Sequence, residues 1–112
     1  MKQFENKLTE IPTPVDPVND PQGETKKATY ASLIFGALKG FSLEGFSYDD
    51  IKKRFRIIDV MEPLEDKPKG KCQLEDADAS YLFKILKDYR WRIVHKELVE
   101  LIDYVANLKT AK

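Results

Sequence analysis

An apolar stretch in the first half of the chain, Thr29 to Phe46 (TYASLIFGALKGFSLEGF), constrains the fold more than any other segment. Ten of its eighteen residues are Ala, Leu, Ile, Phe or Tyr, whereas 34% of the whole chain is charged. Its longest uncharged run, Ala28 to Leu38, has eleven residues, and a membrane-spanning helix needs about 20. The stretch therefore predicts a core helix or a surface for another protein, and it argues against a membrane anchor.

The apolar side chains of this stretch surround the predicted helix instead of following one stripe. One side has the spacing of an amphipathic helix, and Ala31 and Phe35 extend the apolar surface around the other side. A helix that is apolar nearly all round is either central in a core or covered by a partner. We therefore take Ala31 and Phe35, with Phe41 and Phe46 just beyond them, as candidates for a protein interface.

Capping residues and apolar spacing predict where the helices begin and end. The first begins after Thr29 and ends at Gly40, and the second begins after Ser47 and is ended by Pro63. The second helix has one apolar stripe, formed by Tyr48, Ile51, Phe55, Ile58 and Met61. A third helix starts in the LEDAD segment, and a loss of phase near residues 89–92 predicts a break before the fourth.

The first 27 residues differ from the rest, because four of the six prolines lie there and no apolar periodicity is present. Their few large apolar residues offer too little burial to offset the entropy of ordering the segment. We therefore expect a disordered, Pro-rich arm over 1–27, a helical domain over 28–108 and a disordered C-terminus over 109–112. The expected fold class is all-α, a small bundle of three to four helices. The KCQL segment, 71–74, is compatible with one short strand.

The sequence offers little for catalysis or metal binding. His95 is the only histidine and Cys72 the only cysteine, and the chain has no glycine-rich phosphate loop. Three acidic residues, Glu75, Asp76 and Asp78, are better explained by a helix N-terminus than by a calcium loop. We expect no enzyme, no cofactor, no metal site and no small-molecule substrate. The lone thiol, with no apolar N-terminal leader, is typical of a cytoplasmic protein.

Basic residues form two local clusters. The net charge itself gives no indication of nucleic-acid or membrane binding, because 19 Lys and Arg balance 19 Asp and Glu. Basic side chains interleaved with aromatic rings suit phosphate backbones and stacked bases. The alternative is that Lys and Arg stems cover the apolar edges of helices. The candidate nucleic-acid patch comprises Lys52, Lys53, Arg54 and Arg56 in the first cluster, and Arg90, Arg92 and Lys96 in the second.

Tyr89 and Trp91, which alternate with two arginines, also have the composition that protein interfaces favour. They join the four residues of the apolar stretch as the candidate protein interface. The sequence therefore favours a binding protein, acting on a protein partner or on itself. Nucleic-acid binding through residues 52–56 and 90–96 is the alternative, and no membrane partner is expected.

Three segments together, YASLIFGALKG, QLEDAD and IVHKELVELIDYV, give the region 28–108 a pattern of four short helices. In pattern and size this region resembles the small helical proteins that tailed bacteriophages encode near their virion-assembly genes. The resemblance implies an assembly, virion or regulatory accessory protein that acts by binding, often as an oligomer. It implies no catalytic residue, and it places the protein in the host cytoplasm or in the virion.

Overall fold

The computed structural model describes residues 1–16, 18–40 and 42–110. Strands β1 (Lys2–Glu5), β2 (Leu8–Asp16) and β3 (Asp20–Thr29) come first along the chain. Helices α1 (Tyr30–Leu38) and α2 (Tyr48–Met61) follow, and a short 3₁₀ turn, Glu62–Leu64, extends α2. Strand β4 (Lys71–Leu74) and helices α3 (Asp76–Asp88) and α4 (Lys96–Ala106) complete the fold. Within the described ranges, the strands form two small sheets, β1 with β4 and β2 with β3.

The prediction of an all-α bundle with a disordered arm over 1–27 is wrong, because this segment forms strands. β1 pairs antiparallel with β4, from Lys2 opposite Leu74 to Glu5 opposite Lys71. β2 and β3 form an antiparallel hairpin. The partner of β1 lies far along the chain, so no local periodicity reveals the pairing. The strand predicted at 71–74 is present as β4, and the fold is mixed α/β.

The prolines of the N-terminal segment do not prevent strand formation. Pro12 lies opposite Lys27 and Pro14 lies opposite Thr25 in the β2–β3 hairpin. A proline lacks the backbone N–H, which costs a ladder bond only on the edge that faces a partner strand. The hairpin has just two strands, and its register shifts between Leu8 and Pro12 and again after Pro14. The irregular hairpin therefore accommodates residues that a central strand would exclude.

The N-terminal segment contributes to the core of the domain. Phe4 is fully buried, and its ring centroid lies 5.7 Å from that of Tyr104 on α4. Ile11 is buried beside Ala28 and Leu98 in a smaller second cluster. Two polar residues of the same segment, Asn6 and Thr9, are also buried. The entropy argument for disorder failed because these few side chains lie on the domain instead of facing solvent.

Helix α1 is central in the larger core cluster. It contributes Tyr30, Ala31, Ile34, Phe35 and Leu38 to the buried set. Side chains from the other helices and both strands of the β1–β4 sheet surround it, namely Ile57, Ile58 and Met61 of α2, Leu82 and Leu86 of α3, Leu101 and Val105 of α4, and Phe4 and Leu74. The apolar surface all round this helix is therefore satisfied inside the chain.

The predicted helix boundaries are largely confirmed. Thr29 caps α1 by accepting a hydrogen bond from Ser32 N, and Ser47 caps α2 in the same way through Asp50 N. α1 ends slightly before the predicted Gly40, with Lys39 as its C-cap. The predicted break between the third and fourth helices is the connection 89–95, which begins with the extended backbone of Tyr89. These signals are local, which is why the sequence contains them.

Residues 109 and 110 lie against β1. Gln3 N donates to Lys109 O at 3.0 Å, and Thr110 forms a bridge with Lys2. Residues 109 and 110, which belong to the predicted disordered C-terminus, are therefore placed by backbone hydrogen bonds. Residues 111–112 of that prediction lie outside the described residues.

Candidate interaction surface

Two of the predicted interface residues on helix α1 are inaccessible. Ala31 is 0% exposed and Phe35 is 5% exposed, since both belong to the core of the domain. Phe41, predicted beside them, lies outside the described residues. The second face of α1 therefore offers no surface to a partner.

The other predicted interface residues lie at the surface, in partial contact with the domain. Phe46 is exposed along one edge, and the Arg54 guanidinium lies 4.3 Å from its ring centroid. Tyr89 and Trp91 pack edge to face with centroids 4.7 Å apart, and Trp91 Nε1 donates to Leu86 O at 3.3 Å. These contacts use both rings to fix the 89–95 connection on α3.

The apolar stripe of α2 is buried over only part of its length. Its C-terminal residues Ile58 and Met61 are buried, as expected of a core-facing stripe. Tyr48, Ile51 and Phe55, however, are 77%, 40% and 53% exposed. Their spacing of three and four residues places them on one side of the helix. We call these three residues the apolar α2 face.

A polar cluster explains why the N-terminal half of α2 turns its apolar residues outward. Asp50 and Arg54 lie on the side that faces the domain, with Arg54 Nε 3.2 Å from Asp50 Oδ2. Arg54 Nη1 also donates to Ala37 O at 3.4 Å and to Leu38 O at 3.1 Å. The Tyr81 hydroxyl donates to Asp50. Arg54 therefore satisfies carbonyls at the C-terminus of α1, and the apolar side chains take the neighbouring, solvent-facing side.

The basic residues of the first cluster are mostly engaged inside the chain. Lys53 pairs with Asp49 at 3.1 Å, and Arg56 pairs with the buried Asp78 at 2.5 Å. The ammonium of Lys52 lies 5.1 Å from the centroid of the Tyr48 ring. The Asp78 carboxylate raises the pKa of Arg56 above its ordinary value, mainly through their hydrogen bond. Most of the positive charge of this cluster is thus compensated.

One open cleft brings parts of the two basic clusters together. It has a volume of about 500 Å³ and lies between the end of α1, α2 and the end of α3. Arg54, Lys84, Arg90 and Arg92 line it, and Asp88 is the acidic residue among its lining. Within the described residues Arg90 and Arg92 form no ion pair, and both are exposed. Lys96, by contrast, opens α4 outside this cleft.

Cys72 and His95 have structural positions. Cys72 lies in β4, and burial raises the pKa of its thiol from 9.0 to about 11, which keeps it protonated near neutral pH. His95 is the N-cap of α4, since its Nδ1 accepts a hydrogen bond from Glu97 N at 3.1 Å. Histidine is not among the residues that usually signal a helix N-cap, so the sequence gives no indication of this role. Among the described residues, no three His, Cys, Asp or Glu side chains converge as a metal site would require.

Neither the helix lengths nor the comparisons with known proteins assign a role to the chain. In the part of the chain that the structure describes, every helix is too short or too polar to cross a bilayer. Comparison with protein-family models, with curated proteins and with solved structures finds no match for this chain.

Proposed function

We propose that the protein is a non-enzymatic protein–protein interaction protein and that it binds through the apolar α2 face. The observation that carries the proposal is the exposure of Tyr48, Ile51 and Phe55 on one side of a regular helix. Grouped exposed apolar side chains of this kind are typical of interaction sites, whereas single ones are not. Tyr in particular is enriched among residues that dominate binding energy.

The three side chains of the apolar α2 face alone would support only a weak contact. Complete burial of one large apolar side chain is worth about 2 kcal/mol, and roughly half of that remains to be gained at each of the three positions, so about 3 kcal/mol in total. The helix is already formed and held to the domain through Asp50 and Arg54. Little ordering entropy would be lost on binding. The two partners still lose translational and rotational freedom, so contacts around the apolar α2 face must add to the affinity.

Site-specific photo-crosslinking in the native source tests this proposal. Tyr48 is replaced by p-benzoylphenylalanine, and Lys87, an exposed residue of α3, is replaced in a matched control. We expect a discrete crosslinked protein from position 48 that is absent at position 87. Equal crosslinking at the two positions, or none at position 48, would contradict the role of the apolar α2 face.

Binding of a nucleic acid is the second candidate, and the basic cleft is the observation that favours it. Arg54 of the first cluster lines the cleft with Arg90 and Arg92 of the second, and Lys84 adds a fourth positive charge. Arg54 is unsuitable for a test, because its guanidinium also holds the end of α1. Arg90 and Arg92 are exposed and form no ion pair within the described residues, so we expect R90E/R92E to fold.

The test of this second candidate is fluorescence anisotropy with a single-stranded oligonucleotide at several salt concentrations. Binding through the cleft should weaken steeply with salt, and R90E/R92E should abolish it. Lys87→Glu changes the charge of one exposed residue outside the cleft and serves as control. Absence of binding at low salt, or binding that the double variant retains, would eliminate this candidate.

For the biological setting we propose an accessory role in phage assembly or regulation, in the host cytoplasm or the virion. Its support is the resemblance of the 28–108 helical pattern to phage-encoded proteins. The genes beside the one that encodes this chain test it directly: virion-assembly neighbours are expected, and a setting without phage genes would argue against it.

A further inference from the structure

The charged residues of α2 fall into two groups. Five of the seven form ion pairs inside the chain, Asp49 with Lys53, Asp50 with Arg54, and Arg56 with Asp78. Among the described residues, the other two, Lys52 and Asp59, form no ion pair, and both are exposed. One is positive and one is negative. The helix therefore presents one positive and one negative side chain that its own domain leaves without an ion pair.

The spacing of Lys52 and Asp59 places them at one edge of the apolar α2 face. Seven residues correspond to nearly two helical turns, so the two side chains point in almost the same direction, about 10 Å apart along the axis. On a helical projection they lie beside Tyr48 and Phe55, on the side away from the core-facing Arg54 and Ile57. The Lys52 ammonium over the Tyr48 ring keeps the positive charge at this edge.

In a twofold-symmetric dimer, Lys52 and Asp59 of one copy can pair with Asp59 and Lys52 of the other. When two copies of a helix pack antiparallel about a perpendicular twofold axis, each edge of one copy faces the same edge of the other. If the twofold axis crosses the helix pair next to Phe55, Lys52 of one copy lies opposite Asp59 of the second copy. The reverse pair forms by symmetry. The two Phe55 rings meet near the axis, and Tyr48 and Ile51 extend the apolar contact on both sides.

The geometry points to a second copy of this chain as the occupant of the apolar α2 face, in an antiparallel dimer with two reciprocal Lys52–Asp59 ion pairs. This inference rests on the proposed function, since it uses the same face and names its partner. Its charges distinguish it from other occupants. A nucleic acid or an acidic peptide would be repelled by Asp59, whereas a second copy neutralises both charges at once.

Charge exchange between copies provides the test, with sedimentation equilibrium of the full-length chain as the measurement. Wild type is expected to approach twice the 13.0 kDa monomer mass as concentration rises. Lys52→Glu places Glu opposite Asp59, and Asp59→Lys places Lys opposite Lys52, so each variant alone should dimerise at least about tenfold more weakly. An equimolar mixture of the two variants restores opposite charges in both pairs and should recover the dimer.

Lys87→Glu, a change of the same kind on α3, is the matched control and should dimerise like wild type. Recovery in the mixture excludes misfolding of the single variants, and circular dichroism checks each one separately. A wild-type monomer at all concentrations, or a dimer that ignores both substitutions, would overturn the inference. If position 48 then still crosslinks to a different protein, the proposed function stands without self-association. If it crosslinks to nothing, both fail.

Discussion

Asn6 connects the N-terminal segment to three other parts of the domain. Its side-chain amide donates to Leu64 O at 2.6 Å, and its Oδ1 accepts from Ala31 N at 2.9 Å, at the start of α1. Its backbone N donates to Gly70 O at 2.8 Å, and its carbonyl accepts from Lys69 N at 2.9 Å. One buried polar residue thus satisfies backbone groups that would otherwise be buried without partners.

Replacing Asn6 by Ala should therefore destabilise the domain strongly. The substitution leaves the Ala31 N–H and the Leu64 carbonyl without their partner, and we expect a loss of about 3 kcal/mol in the free energy of unfolding. Urea denaturation with an unchanged slope is the measurement. Lys7→Ala, at the exposed neighbouring position, should cost little, and an equal effect at the two positions would refute the role of Asn6.

Burial should make the Cys72 thiol slow to react. Because burial raises its pKa from 9.0 to about 11, its thiolate fraction at pH 8 should be about 100-fold lower than that of an unhindered cysteine. Alkylation by iodoacetamide should be slower by a similar factor in the folded chain than in urea. The protonated thiol also favours folding below pH 9, and this contribution is lost as the pH rises through 11.

A rate of alkylation equal in the folded and urea-unfolded chains would contradict the buried, protonated state of Cys72. Cys72→Ser removes the titrating thiol and controls for it. Its stability should fall less steeply than that of wild type between pH 9 and pH 11.

At the scale of elements, α2 is defined by what it turns toward the domain. Arg54 pairs with Asp50 and donates to two carbonyls of α1, and its side chain is largely buried. This cluster occupies the core-facing side at the N-terminal half of the helix. The exposure of Tyr48, Ile51 and Phe55 is its direct consequence, so the candidate surface depends on a structural ion pair.

Arg54→Met tests this dependence. Loss of the guanidinium leaves the Asp50 carboxylate and the α1 carbonyls short of a donor, and we expect about 2 kcal/mol of destabilisation. Arg54→Lys should recover only part of it, because an ammonium cannot reproduce the planar set of donors. Thermal unfolding of the two variants, with D50N and D50N/R54M added to measure the coupling, is the experiment. Additive effects of Asp50 and Arg54 would show that the pair does not act as a unit.

Helix caps, strand β1 and helix α2 show how far the sequence could predict the fold. Caps such as Thr29 and Ser47 are local, and the sequence identified both. Strand β1 was missed because its partner β4 is distant in sequence and its anchors are single residues, Phe4 and Asn6. The apolar spacing of α2 predicts one stripe over its whole length, but it does not show that Asp50 and Arg54 occupy the buried side of the N-terminal half.

In the molecule as a whole, most large apolar side chains of α1 and most charges of the first basic cluster are engaged within the domain. Helix α1, the most apolar segment, is enclosed by the chain, and most charges of the first basic cluster are paired. Among the described residues, the apolar α2 face and the basic cleft are two surfaces that stay open to a partner. The apolar α2 face has balanced charges at its edge and suits another copy of the chain. The basic cleft is positive and suits an anion.

We propose that the apolar α2 face is covered when the protein functions, and hydroxyl-radical footprinting measures this coverage. Oxidation of Tyr48 and Phe55 is compared between the diluted, isolated chain and the assembly recovered from the native source, with the buried Tyr30 as internal reference. We expect both side chains to be oxidised readily in the isolated chain and protected in the assembly. Equal oxidation of Tyr48 and Phe55 in the two samples would contradict it.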